Sequence, residues 1–401
     1  MFKRQPWWRS LTIFLVLIVM ITTAIIASAS EPFVHRPWPN REIRGVWLTN
    51  IDSDVLFSRS ALTQGLDRLA KLHFNTVYPT VWNWGYTLYP SEVAKREIGV
   101  ALDPVPGLQG RDMLQEVIDQ GHQRGMAVIP WFEFGFMLPA DSELVKRHPD
   151  WITRRRDGST IWKEGEHDRV WLNPFHPEVQ KFIQDLILEI VTKYDIDGIQ
   201  VDDHFGLPVD FGYDNFTTRL YRQQDQRDWV VQMLQGSPPK KPEAWVDWRA
   251  YQITSFMEQL FHAIKAKKPD CLVSVSPNPQ HFSKNKYLLD WETWERRGYV
   301  EELLLQIYRP DLDRFAYELK KPEVEAARLH IPVGIGILSG LKNRSTPMEM
   351  VQAQVEETRR RGFAGVSFFF YESLWQWGEP EHQRESALQS LFPAPIQRPS
   401  L

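Results

Sequence analysis

Asp202 and Asp203 stand side by side in the string DGIQVDDHFG, residues 197–206, at the end of a short apolar run. Neighbouring residues on a strand point to opposite faces, so the two carboxylates cannot serve in the same way. Acids this close repel, which raises one pKa and leaves that group protonated near neutral pH. A protonated acid beside an ionised carboxylate is the pair that glycosidic bond cleavage requires. A plainer role is open to Asp203, capping the turn after the strand. Further carboxylates close other apolar runs: Glu133 in PWFEFG and Glu372 in FFYES, with Glu164 and Glu166 in a long polar stretch.

Several rival chemistries lack their residues. None of the eleven histidines forms a His-x-His pair, and there is no G-x-S-x-G elbow and no phosphate-gripping glycine loop. Lys342 alone among the lysines has a strand-end setting, which is thin support for a Schiff base. A metal held by Asp202, Asp203 and His204 would need adjacent residues to converge on one ion, which they rarely do. No metal and no cofactor are expected. The lone Cys271 excludes an internal disulfide and a multi-cysteine zinc site.

These residues need elements to hold them. Eight apolar runs read as buried strands: 42–50, 75–82, 126–135, 197–203, 271–279, 302–310, 331–340 and 363–375. Amphipathic stretches lie between them, among them Asp112–Arg124, Pro177–Tyr194, Trp248–Lys268 and Pro347–Arg361. That alternation predicts an α/β protein with a closed (β/α)8 TIM barrel over residues 41–392. No glycine-rich turn follows the first strand, as an open nucleotide-binding sheet would require. Long loops of about 40 residues follow strands three and four, a length that is usually functional. Barrel enzymes place their sites at the C-terminal strand ends.

Alternation sorts the side chains. Ile199 and Val201 share the face towards the helices, which turns Gly198, Gln200 and Asp202 into the lumen. The same parity gives a polar lumen face to Thr76, Tyr78, Thr80 and Trp82, to Ser274, Ser276 and Asn278, and to Gln306 and Tyr308. A satisfied polar barrel core is the plain alternative to a converging site. Trp82, Gln200, Ser276, Asn278, Gln306 and Tyr308, with Trp131, Asn173, His204 and Trp375, are the expected substrate contacts. Asp202, Asp203, Glu133 and Glu372 are the candidate catalytic groups.

The strings EIRGVWLTN, NTVYPTVW, GMAVIPWFEFG, WLNPFHPEVQKFI, YDIDGIQVDDHF, VSVSPNP, LLLQIYRP and GFAGVSFFFYESLW occur in this order over residues 41–376. Together they resemble the bacterial glycosyl hydrolase-like family 10. The resemblance implies an exported glycosidase acting on a cell-envelope polysaccharide such as peptidoglycan glycan strands. It also implies that Asp202 and Asp203 form the family's Asp-Asp motif, and Gln306 and Tyr308 its Gln-Ile-Tyr motif. Other branches carry Asn-Pro where this chain has Glu133-Phe134, so Glu133 is not implied as a family-wide acid.

Two mechanisms stay open. Strand four has the D-G-x-x-x-D spacing of α-amylase-type barrels, whose last aspartate is the nucleophile, but strand five ends SVSPNP and offers no acid. N-acetylhexosaminidases carry adjacent acids on strand four, one orienting the substrate acetamide and the next donating the proton. In that scheme Asp202 orients and Asp203 is the acid. In the rival scheme Asp202 is nucleophile or base, and Glu133 or Glu372 the acid. A non-catalytic glycan-binding barrel is a reading from another class.

Composition agrees with a sugar partner. Seventeen Trp residues supply flat faces for stacking on sugar rings. A net charge of −4 with no basic cluster beyond the extreme N-terminus argues against nucleic acid. Lys3, Arg4 and Arg9 precede the uncharged run 11–27, and Ala27-Ser28-Ala29 fits a signal-peptidase site. Residues 1–29 are therefore expected to be a signal peptide, with an uncleaved membrane anchor as the rival. Export to the periplasm or cell envelope follows either way. Losing those three positive charges shifts the chain from −4 to −7. A Pro-rich connector spans 30–40, and 393–401 reads as a tail.

Overall fold

The computed structural model describes residues 40–234 and 244–399. Eight strands run parallel: β1 (Ile43–Leu48), β2 (Thr76–Asn83), β3 (Ala127–Val128 and Trp131–Phe132), β4 (Gly198–Asp202), β5 (Leu272–Ser276), β6 (Glu302–Gln306), β7 (Val333–Leu338) and β8 (Gly365–Phe369). Each pairs with its neighbours in chain order, and β8 pairs back onto β1. The result is the closed barrel that the alternation predicts.

The helices between the strands bury one apolar face against the barrel. Pro177–Lys193 begins with Pro at its first turn, carries Glu178 there and ends at Lys193, in line with the helix dipole. Its buried residues Val179, Phe182, Ile183, Leu186, Ile187 and Ile190 recur at helical spacing. Asp112 caps Met113–Gln123 by accepting from the Gln115 N–H at 3.1 Å.

One expectation needs correction, and the two long loops carry elements of their own. The third strand is not continuous: it breaks at Ile129-Pro130, because proline has no N–H to give to a ladder. The long third loop is not structureless: Met137–Pro139, Trp162–Glu164 and His167–Trp171 form an antiparallel sheet that is separate from the barrel sheet. Much of the fourth loop is the helix Asn215–Leu234. The stretch 235–243 lies outside the described residues, and so does the expected leader or anchor. Among the described residues no helix is long and apolar enough to cross a membrane.

The stretch read as a tail is packed against the barrel from 394 to 398. Ala394 O accepts from Arg44 Nη1 (2.6 Å), Ile396 O from Asn75 Nδ2 (3.1 Å) and Gln397 O from the Glu42 N–H (2.9 Å).

Candidate active site

The lumen is a packed core. Ile43, Trp47, Tyr78, Ile129, Trp131, Leu304 and Ala364 form its apolar layer. Asp202 lies above that layer at the C-terminal end of β4, 4% exposed. Three donors converge on it. Trp131 Nε1 donates to Oδ2 at 3.1 Å, Gln306 Nε2 to the same oxygen at 3.0 Å, and the Asp203 N–H to Oδ1 at 2.6 Å. Ser276, paired with Asp202 across β4 and β5, accepts from Gln306 Nε2 through its carbonyl (2.8 Å) and its hydroxyl (3.2 Å). It aims the amide rather than meeting a ligand. Burial raises the Asp202 pKa first, then the charges of Asp203 and Glu133.

Glu133, beyond the end of β3, is the second carboxyl of the site. Gly135 places it there. At φ +47° that glycine lies against the 203–206 turn, where a Cβ would come within 2.5 Å of His204 O. Glu133 Oε2 accepts from Asn83 Nδ2 at 2.7 Å and from Thr80 Oγ1 at 3.5 Å, while its carbonyl accepts from His204 Nδ1 at 2.8 Å. Burial and then the charge of Glu164 push its pKa up to about 8. Asp202 and Asp203 each receive three donors, whereas Glu133 receives one good bond and one marginal one. Donors to a carboxylate favour its charged form, so Asp202 and Asp203 have bonds that oppose the effect of burial, and Glu133 has fewer.

Asp203 turns the other way. Its Oδ1 accepts from the Asn278 N–H (2.9 Å) and Ser283 Oγ (3.1 Å), and its Oδ2 from Asn278 Nδ2. Both oxygens are committed to the loop after β5. Asp202, not Asp203, caps the short turn Asp203–Phe205. His204 Nδ1 bonds Glu133 O and lies 3.9 Å from Asp202 Oδ1, but Asp203 is turned to the β5 loop, so the three do not gather as cation ligands. Elsewhere Asp150, His176 and Glu178 bring potential cation ligands within 4.8 Å of one another, but His176 Nδ1 accepts from the Glu178 N–H as a helix cap.

Five expected site residues lie elsewhere. Trp82 faces the helices, because the β2–β3 register shifts between Thr80 and Trp82; its ring packs on Phe182 and its Nε1 donates to Gly135 O at 3.0 Å. Gln200 is fully buried a layer below Asp202, between Trp47 Nε1 (2.8 Å) and Ser274 Oγ (2.9 Å). Asn173 spends its amide on Asp214, Thr217 and the Phe175 N–H. Glu372 accepts from Ser53 Oγ at 2.9 Å and is raised by burial, with Asp54 and Arg68 as its charged neighbours rather than Asp202 or Glu133. Trp375 lies under the Arg68 guanidinium, 3.5 Å from its ring centre.

Other residues enter the site without a sequence signal, and Tyr308 joins them as expected from its parity. Asn83 takes the inward position that Trp82 vacates. Phe369 and Tyr308 are half-buried, with ring centres 5.7 Å apart, and Phe369 also meets Trp131 at 6.3 Å. Tyr287, from the helix Gln280–Tyr287, packs near His204, and burial with the charges of Asp203, Glu164 and Asp202 pushes its hydroxyl up to about 12. Arg169, from the sheet after β3, is stacked between Trp84 (4.2 Å) and Phe134 (5.0 Å) and holds Glu164 at 2.8 Å.

An eight-stranded parallel barrel with carboxyls gathered at its C-terminal strand ends is a TIM barrel with an acid-lined site, a fold it shares with glycoside hydrolases. The PgaB (BpsB) glycoside hydrolase domain from Bordetella bronchiseptica matches 88% of this chain and 99% of its own, with a TM-score of 0.63 at 14% identity. The catalytic domain of β-amylase from Paenibacillus polymyxa matches the same shares with a TM-score of 0.58 at 10% identity. Likeness at such identities speaks to the fold alone. Residues 42–356 match the Glycosyl hydrolase-like 10 family, and the chain belongs to it. Glycosyl hydrolase DigH of Escherichia coli K12 is 27% identical over 325 residues, 71% of this chain and 69% of DigH. Glycosyl hydrolase YngK of Bacillus subtilis is 25% identical over 290 residues, 67% of this chain and half of YngK.

Proposed function

We propose that the protein is an exported glycoside hydrolase that cleaves glycosidic bonds of a cell-envelope polysaccharide, the glycan strands of peptidoglycan in the first instance. The observation that carries this reading is the placing, in one strand-end cleft, of a Glu133 with a single good donor beside an Asp202 fixed by three. Family membership and the export-type N-terminal sequence support it.

In this scheme Glu133 gives its proton to the glycosidic oxygen as the bond to the anomeric carbon breaks. Asp202 meets the positive charge that develops on that carbon, as nucleophile or as the base for a water. Phe369 and Tyr308 form the wall on which a sugar ring stacks. Asp203 holds the β5 loop, so the acid of the acetamide-assisted scheme passes from Asp203 to Glu133, and Asp202 keeps its orienting role if the substrate carries an N-acetyl group.

The test is digestion of purified glycan strands, with and without stem peptides, read by product mass and new reducing ends. New reducing ends that disappear in Asp202→Asn are expected. Strands bound without any cleavage would instead identify a glycan-binding barrel. Inhibition by a thiazoline mimic of the acetamido intermediate would mark the substrate-assisted route, and indifference to it the direct one.

A further inference from the structure

The N-terminal end of the lumen is closed by a side chain that the barrel strands do not supply. Arg398, beyond the last helix Glu381–Leu391, reaches in from below. Its Nη2 pairs with Glu302 Oε2, and its Nε donates to Thr76 Oγ1 at 3.2 Å. Glu302 has no solvent exposure, and its other oxygen accepts from Ser274 Oγ (3.0 Å) and Tyr78 OH (3.2 Å). The bonds continue upward without a gap. Ser274 Oγ accepts from Gln200 Nε2 (2.9 Å), and Gln200 Oε1 accepts from Trp47 Nε1 (2.8 Å). The Trp47 ring packs on Trp131 with centres 6.1 Å apart, and Trp131 donates to Asp202.

From this path we infer that Arg398 is the barrel's plug and a positioning residue for Asp202. It neutralises the buried Glu302 and thereby sets the polar column on which Trp47, Trp131 and Asp202 rest. A buried carboxylate stripped of its partner is strongly destabilising, whereas removing both charges together is far milder. A plug of this kind therefore has a signature in paired variants.

Its effect on turnover rests on the hydrolase reading; its effect on the lumen does not. The experiment compares Arg398→Ala, Arg398→Lys and the double variant Arg398→Ala/Glu302→Gln with the full chain. Melting temperature, amide exchange along 198–203 and kcat and KM on glycan strands are measured together. Arg398→Ala is expected to melt lower and to speed exchange along 198–203 at least tenfold relative to the helix Met348–Arg360. It is also expected to lower kcat about tenfold with KM within twofold. Arg398→Lys recovers part of each. The double variant recovers the slow exchange and the melting temperature, because the amide oxygen that replaces the carboxylate still accepts from Ser274 and Tyr78. A double variant no better than Arg398→Ala would overturn the inference, as would unchanged exchange along 198–203 in the single variant. If the parent chain turns over no glycan, the hydrolase reading fails, while the exchange and melting data still decide the role of Arg398.

Discussion

Trp131 is an example of a residue whose indole does its work through nitrogen rather than through its face. The ring is 2% exposed, packed on Trp47 and Phe369, and its N–H is one of the three donors on Asp202. Trp131→Phe keeps much of the apolar fill and deletes that donor. A hydrogen bond to a charged group contributes about 1.5–3 kcal/mol, so kcat should fall roughly 10- to 100-fold with little change in KM, while the melting temperature falls by a few degrees. Steady-state kinetics on a glycan of defined length would check it, and a rise in KM alone would show the ring to be a sugar platform after all. Glu372 invites the opposite expectation. Its partners are Ser53 and Gln376 rather than Asp202 or Glu133, so Glu372→Gln should keep turnover within about twofold of the parent. A loss approaching the general-acid range of about 10²- to 10⁴-fold would return Glu372 to the catalytic set.

At the scale of elements, what was readable followed from period-two alternation. On β4 it sorted Ile199 and Val201 outward and Gln200 and Asp202 inward, as the packing has them. It failed on β2, where Val81 and Trp82 both join the outer core and Asn83 turns inward. A one-residue shift in register changes the face of every residue after it, and no local residue type announces that shift. Parity was also silent on depth: Gln200 and Asp202 share a face, yet one sits inside the packed lumen and the other at its rim. The turn after β4 carries its own prediction. Asp203 holds the β5 loop by accepting from Asn278 and Ser283 through both oxygens. In Asp203→Asn an amide NH2 must face one of these donors, which costs about 1–3 kcal/mol. Thermal unfolding should register a fall of a few degrees, with turnover reduced as the loop loosens. Full loss of turnover at an unchanged melting temperature would make Asp203 a catalytic group instead of an anchor.

For the whole molecule, the barrel was legible because eight strand-and-helix units repeat one hydrophobic pattern, whereas the plug is a single arginine far along the chain, whose role exists only once the strands have closed. The same globality governs the proton on Glu133, which no local sequence feature reveals: burial raises its pKa first and then Glu164, against Thr80 and Arg169, groups brought together from separate stretches of the chain. Its folded pKa of about 8 stands above the ordinary 4.5. Below pH 4.5 the group is protonated in both the folded and the unfolded chain. Between 4.5 and about 8 the folded chain keeps a proton that the unfolded chain releases, so this group's contribution to stability falls as pH rises, and is lost once the folded group has also ionised. Glu133→Gln has no proton to lose, and its amide oxygen can still accept from Asn83. The variant should match the parent's melting temperature near pH 4 and exceed it progressively towards pH 8, with the gain level above that. At the same time turnover should drop about 10²- to 10⁴-fold, and what remains should lack the alkaline limb near pH 8 that is expected of the parent. Stability gained at the expense of activity is the pattern expected of a group held in an unfavourable site for function. Melting curves for the two proteins from pH 4 to 9, recorded beside their pH–rate profiles, decide it: a difference in melting temperature independent of pH would mean that Glu133 is ionised in the folded chain and is not the acid.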